Sequence, residues 1–186
     1  AMEVDGTDDY IQVANDTDLT LNGNLTLSVW FTTDLTSSWN ETIVSKGVRK
    51  EFDLMIYHNT SSTSESRFRF HQGNSAENGY VHYDSITQIS NGIWYNLIVT
   101  REGSGTSWTI TFYVDGKFYK IPTGGVSDSG SSQPQSSTRN IFLGVTNNGN
   151  SPHAGWDFNG QMSDVRIYDK ALTADQVNEL YQERSS

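Results

Sequence analysis

The sequence predicts an all-β protein of antiparallel sheets, finished by one short C-terminal helix. Three observations predict it: many segments alternate apolar and polar residues with period two, turn-forming residues separate those segments, and a capped amphipathic stretch closes the chain. Within residues 51–58, Phe52, Leu54 and Ile56 share one face, with Asp53, Met55 and Tyr57 on the other. Within residues 67–72, Phe68 and Phe70 face away from Arg67, Arg69 and His71. One apolar and one polar face describes antiparallel sheet with one side packed and one side accessible.

The strands expected in order are 10–15, 25–33, 42–45, 51–58, 67–72, 79–83, 95–101, 108–114, 117–121, 140–145 and 161–168. Val114-Asp115-Gly116-Lys117 is a hairpin signal, because Asp-Gly favours the type I′ turn. Residues 124–137 (GGVSDSGSSQPQSS) form the one low-complexity stretch and read as a long exposed loop. In the last strand, Met162, Asp164, Arg166 and Tyr168 are expected on one face, and Ser163, Val165, Ile167 and Asp169 on the other. Thr173 and Gln176 then form a capping box. Val177, Leu180 and Tyr181 follow with helical spacing, which gives the helix one apolar side.

At 186 residues the chain reads as one domain, 1–186, long enough for a substantial core. A net charge of -10, with only 12 scattered Lys and Arg, argues against nucleic acid and disfavours anionic membrane surfaces as partners. The charge is less decisive against acidic polysaccharides: a local basic cluster of Lys46, Arg49 and Lys50 is expected to be a solvated loop, the alternative being that it meets a uronate or sulfate. No apolar run reaches the ~18 residues of a membrane span, so no membrane insertion is expected. With no Cys, disulfides and thiolate metal sites are excluded. Ala1-Met2 reads as a cloning scar, so a fragment of a larger precursor is expected. Sequons at Asn15, Asn24, Asn40 and Asn59 arise by chance in a chain this rich in Asn, Ser and Thr.

Residues 158–180, FNGQMSDVRIYDKALTADQVNEL, are the most specific phrase in the sequence. It resembles the C-terminal signature of laminin-G-like domains of the concanavalin-A-like lectin and glucanase group. The opening, EVDGTDDYIQVANDTDLTLNGNLTLSVWF, is similar to the start of that family. IVSKG at 43–47, GIWYNLIVT at 92–100 and YVDG at 113–116 resemble internal family strands in the expected order. The resemblance implies a two-sheet antiparallel β-sandwich, a jelly roll. It also implies a non-catalytic carbohydrate-binding module, a monomer that targets a secreted glycan-active enzyme to its polysaccharide. The expected location is extracellular or cell-surface, on a bacterium. The alternatives are a cell-surface adhesion or protein-interaction domain of the same fold, and a glycan hydrolase or polysaccharide lyase domain.

Catalysis is disfavoured by the residues themselves. Glycan hydrolysis needs two carboxylates flanking the scissile bond, and the family's E-x-D-x-E strand is absent. A lyase needs a His/Tyr pair beside Arg or Gln. Arg69, His71, His82 and Tyr83 supply the residue types, but the lyase strand motifs R-x-E-x-R and Q-I-H are missing.

Calcium takes roughly six to eight oxygen ligands. The Asp16-Thr17-Asp18 turn, which follows the 10–15 strand, offers several; the resemblance implies that the closing strand runs beside that first strand and maps a structural calcium onto this region, with Asp164 as the third ligand. The alternative is that Asp16 and Asp18 cap a turn while Asp164 pairs with Arg166; Asp5, Asp8 and Asp9 form a competing cluster. Sugar binding needs an aromatic face and planar polar groups. Trp30, Trp94 and Trp108 sit among apolar neighbours and are expected in the core. Trp39 and Trp156, with His153 in the second loop, are the loop candidates for the carbohydrate; Tyr57, Arg69 and His71 on the accessible sheet face are the rival set.

Overall fold

The computed structural model describes residues 1–34, 40–47, 50–59, 62–73, 80–84, 89–119, 126–127, 133–153 and 155–185. The strands are β1 (Met2–Asp5), β2 (Ile11–Val13), β3 (Leu25–Thr33), β4 (Glu41–Ser45), β5 (Asp53–Asn59), β6 (Ser62–Gly73), β7 (Tyr80–Asp84) and β8 (Tyr95–Ser104). They continue with β9 (Ser107–Val114), β10 (Lys117–Tyr119), β11 (Val126–Ser127), β12 (Ile141–Leu143), β13 (Thr146–Asn148), β14 (Ser151–His153) and β15 (Asn159–Tyr168), and α1 (Ala174–Ser185) closes the chain. One sheet has the order β1-β15-β3-β8-β9-β10, the other β11-β7-β6-β5-β4-β12-β2, and β13-β14 is a separate hairpin. All pairings are antiparallel, so the expected all-β sandwich with one short helix is the fold observed.

Alternation builds the core. Leu25, Leu27, Val29 and Phe31 of β3 meet Leu54, Ile56, Phe68 and Phe70 of the facing sheet, all within one buried cluster. Phe31 and Phe68 bridge the sheets edge to face at 5.7 Å. The Asp115-Gly116 turn has both residues at positive φ (51 and 70) between paired Val114 and Lys117, the geometry of a type I′ hairpin. Gly116 is required twice over, because a Cβ there would lie 2.6 Å from the Tyr181 ring.

The capping box forms in both directions: Gln176 N donates to Thr173 Oγ1 at 3.3 Å, and Thr173 N to Gln176 Oε1 at 3.0 Å. Leu172, Val177 and Leu180 then pack on Ile98 and Tyr113, covering the outer face of the first sheet. Tyr181 stacks on Trp30, with centroids 5.7 Å apart and planes 15° from parallel.

Two expectations need correcting. β15 does not keep one parity, because a bulge between Ser163 and Arg166 sets two residues against Val29, with Asp164 at φ 50. Met162, Val165 and Ile167 therefore all pack toward the core, and Tyr168 toward the helix. Second, the strand beside the closing strand is β1, not the 10–15 segment; that segment supplies β2, at the far edge of the other sheet.

Candidate functional site

The alternation of β5 sends Asp53, Met55 and Tyr57 to the outer face of the seven-stranded sheet. Register extends this face as two rows, Thr42–Met55–Arg69–Asp84 and Ser45–Asp53–His71–His82. The β13-β14 hairpin sits on one half of it. The hydroxyls of Thr42 and Thr146 bond to each other, Asn147 N donates to Ser45 Oγ at 3.1 Å, and Ser45 Oγ donates to Asp53 Oδ1. Thr42, Ser45, Asp53 and Met55 are consequently buried on a face that alternation alone would leave open.

The other half stays accessible, and its polar groups are locked together. The Arg69 guanidinium carbon lies 3.5 Å from the centroid of the Tyr57 ring. Its Nε donates to Asp84 Oδ1 at 2.6 Å and its Nη2 to Asp84 Oδ2 at 2.7 Å, a two-point fork that fixes the guanidinium plane. The Arg69 and Asp84 side chains keep 13% and 21% of their surface exposed. Arg67 Nη1 stands 4.0 Å from the same carboxylate. His71, named with Tyr57 and Arg69 from sequence, is only 2% exposed. It lies 3.9 Å from Asp53 Oδ2 and edge-on to His82 at 6.0 Å, on the outward side of the sheet but covered, and so presents almost no surface to a ligand.

The loop candidates divide. Trp39 lies outside the described residues. His153 and Trp156 are neighbours, with ring centroids 5.8 Å apart and planes tilted by 48°. Their loop is shaped by Gly149 and Asn150, both at φ 66 between paired Asn148 and Ser151, another type I′ turn. Asparagines knit it in place: Asn147 Nδ2 donates to Asn140 O at 2.6 Å, Asn150 N to Asn147 Oδ1 at 2.9 Å, and Asn140 N to Asn150 Oδ1 at 2.8 Å. Trp156 O accepts from Thr42 N at 3.0 Å. Thr42 and Arg69 are two strands apart, roughly 10 Å at ordinary strand spacing, so the hairpin borders the Tyr57–Arg69–Asp84 face. His153 and Trp156 of the loop set thus border the same sheet surface as Tyr57 and Arg69 of the rival set.

The calcium candidates are not brought together. Asp16 caps the 3₁₀ turn Thr17–Leu19, its Oδ1 accepting from Asp18 N at 3.1 Å and Thr17 Oγ1 at 3.2 Å. The Asp18 amide first, then the Thr17 hydroxyl, hold its carboxyl below the usual carboxylate range. Asp164 Oδ1 accepts from Arg166 Nε at 2.9 Å and Arg184 Nη2 at 3.3 Å. Asp164 first, then Tyr168 and Glu183, push the Arg166 guanidinium pKa above its ordinary value. Asp164 thus pairs with Arg166, and Asp16 caps a turn. Among the described residues no three His, Cys, Asp or Glu side chains are placed to hold a metal ion.

Other buried polar groups are structural. Glu41, His58 and Ser66 form a carboxylate–imidazole–hydroxyl chain, with His58 Nε2 3.5 Å from Glu41 Oε1 and Ser66 Oγ 2.9 Å from His58 Nδ1. Their exposures are 0%, 2% and 1%, so no substrate reaches the hydroxyl. Lys46 is not solvated, as expected from sequence, but fully buried 3.5 Å from Glu51 Oε2. It also donates to Asn15 Oδ1 at 2.8 Å and Arg139 O at 3.1 Å. Trp94, expected in the core, is 40% exposed. Trp108 is partly exposed, 5.4 Å from the buried Arg101 guanidinium. Asp84 was missed because its role depends on cross-strand register; the strand expected at 79–83 stops one residue short of it.

A laminin-G-type model described as the concanavalin A-like lectin/glucanases superfamily matches residues 5–178. A search of curated protein sequences returns no match. Among solved structures, domain 4 of AbnA, a GH43 extracellular arabinanase from Geobacillus stearothermophilus in complex with arabinotriose, aligns at 18% identity and TM-score 0.59 over 97% of this chain and 75% of that one. The CBM40 of the Ruminococcus gnavus IT-sialidase aligns at 12% identity and TM-score 0.60 over 94% of this chain and 97% of that one. The heptameric SAP-like pentraxin of Limulus polyphemus aligns at 18% identity and TM-score 0.57, covering 96% of this chain and 83% of that one. At these identities the likeness is one of fold.

Proposed function

Because the chain belongs to the concanavalin A-like lectin/glucanases superfamily, we propose that it is a non-catalytic carbohydrate-binding module. In this reading it holds a secreted glycan-degrading enzyme against its polysaccharide. The observation that carries it is the locked Tyr57–Arg69–Asp84 array on an accessible sheet face. Sugars are recognised by planar polar groups that meet paired hydroxyls and by aromatic faces that meet C–H bonds. A guanidinium already fixed by a ring and a carboxylate loses little freedom on binding, which favours affinity. His153 and Trp156 supply the aromatic border. The fold neighbours from an arabinanase and a sialidase support attachment to an enzyme.

The same geometry favours binding over catalysis. Both carboxylate oxygens of Asp84 accept from Arg69, so this carboxylate serves to hold the guanidinium in place. Titration calorimetry of the chain against a panel of polysaccharides, with product release followed in parallel, tests the proposal. Binding without product is the expected result. Release of reducing sugar or unsaturated product would establish an enzyme instead, and capture of a protein partner with no glycan bound would establish the adhesion alternative.

A further inference from the structure

A second concave surface lies on the opposite sheet, apart from the Tyr57–Arg69–Asp84 face. Register places Glu3, Gln161 and Thr32 in one row across β1, β15 and β3. Parity sends this row outward, since Val4 and Met162 beside it point into the core. Thr32 lies two residues along β3 from Trp30, on which the helix stacks through Tyr181. Gly92 N donates to Thr33 O at 3.0 Å, which ties the loop before β8 to this edge and sets Trp94 beside the row. The result is a cavity of about 340 Å³ lined by Glu3, Asp5, Asp34, Asn159, Gln161 and Trp94, among others. Gly160 forms part of its wall, at φ 149. A Cβ there would lie 2.1 Å from Thr32 O, so no side chain at 160 fills the space.

We propose that this cleft is a second carbohydrate subsite, which takes one glycosyl unit of an uncharged glycan against Trp94. The volume is at the small end of the range for small-molecule sites. A Trp 40% exposed beside a cavity supplies the stacking face. Carboxylates accept from sugar hydroxyls, and the Asn159 and Gln161 amides both donate and accept. The charge decides the class. Among the described residues, Glu3, Asp5 and Asp34 line the cleft and no Lys or Arg does, so uronates, sialic acid and sulfated sugars are repelled. The opposite face, which carries Arg67 and Arg69, has no such bias. Two sites on opposite sheets would let one module engage two chains of a polysaccharide, raising avidity through effective concentration.

This inference rests on the carbohydrate-binding reading but not on the place of the first site. The test uses the full chain with ¹⁵N-labelled tryptophan, titrated with neutral oligosaccharides (xylotriose, cellotriose, arabinotriose) and with trigalacturonate as the anionic probe. The Trp94 indole signal should shift with a neutral trisaccharide and stay still with trigalacturonate. Trp94→Ala should weaken that binding event about tenfold or more, with the melting temperature nearly unchanged because the side chain is largely exposed. Gln161→Ala should weaken it as well, and Arg69→Ala should leave it intact. If glycans bind and shift Trp156 while Trp94 stays still, the second subsite is wrong and the module reading stands. If no glycan perturbs any indole or releases heat, both fail. A Trp94 shift that persists in Gln161→Ala and is equal for trigalacturonate would overturn the charge-selective cleft.

Discussion

Arg69 and Tyr57 are stacked, with the guanidinium carbon 3.5 Å from the ring centroid, although they belong to different strands and are diagonal, not directly opposed, in register. The pairing works because Asp84, opposite Arg69 on the next strand, pulls the guanidinium flat through two hydrogen bonds. Three side chains from three strands thereby make one rigid surface. That fixed geometry is what the proposed sugar site relies on, in contrast to an ordinary solvated charge pair.

The first prediction follows from that surface. Tyr57→Ala and Arg69→Ala should each weaken binding to the cognate glycan by about tenfold or more. Arg69→Lys should not restore it, because an ammonium cannot fork onto Asp84 or stack flat on the ring. Calorimetry measures this directly. Wild-type affinity in Arg69→Lys would show that charge alone suffices.

The second concerns the buried Lys46–Glu51 pair. Glu51 also accepts from Leu21 N at 2.8 Å and Ser137 Oγ at 2.6 Å, so it ties three segments together. Removing one partner of such a pair strands the other charge, so Glu51→Ala should cost roughly 3–5 kcal/mol in denaturant unfolding. The double variant Lys46→Met/Glu51→Leu should recover much of that loss. Equal destabilisation of single and double variants would contradict the uncompensated-charge account.

A third prediction separates ion pairing from metal binding at Asp164. Asp164→Ala should lower stability by about 1 kcal/mol, the scale of a partly exposed ion pair. It should do so equally with calcium and with chelator present. A melting temperature that responds to calcium in the wild type and not in the variant would restore Asp164 as a ligand.

The last prediction concerns pH. The Asp16 carboxyl lies below its ordinary value in the folded chain because the Asp18 amide and the Thr17 hydroxyl bond its ionised form. A depressed folded pKa contributes stability that is present above the unfolded value, near 3.8, and lost as pH falls through the folded value. NMR titration should find Asp16 below the normal carboxylate range. Asp16→Asn should keep the cap while removing this part of the acid dependence, and an ordinary Asp16 titration would refute the assignment.

Local chemistry was legible in the sequence wherever neighbours along the chain decide it. Alternation marked β3, β5 and β9, Asp115-Gly116 marked its hairpin, and Thr173 with Gln176 marked the helix start, because each rests on contacts within a few residues. The pairing of Asp164 with Arg166, one of two alternatives the sequence leaves open, is local in the same sense. What only the tertiary structure decided is long-range. The bulge opposite Val29 reversed the facing of half of β15. The β13-β14 hairpin covered Thr42 and Ser45, and His71 is buried although alternation turns it outward. Trp94 reads as core from its apolar neighbours, but it stands beside a cleft because the Gly92–Thr33 bond holds its loop at the sheet edge. Alternation says that a side chain leaves one face of a strand; what waits on that side is set by segments far away in sequence, and no local pattern encodes it.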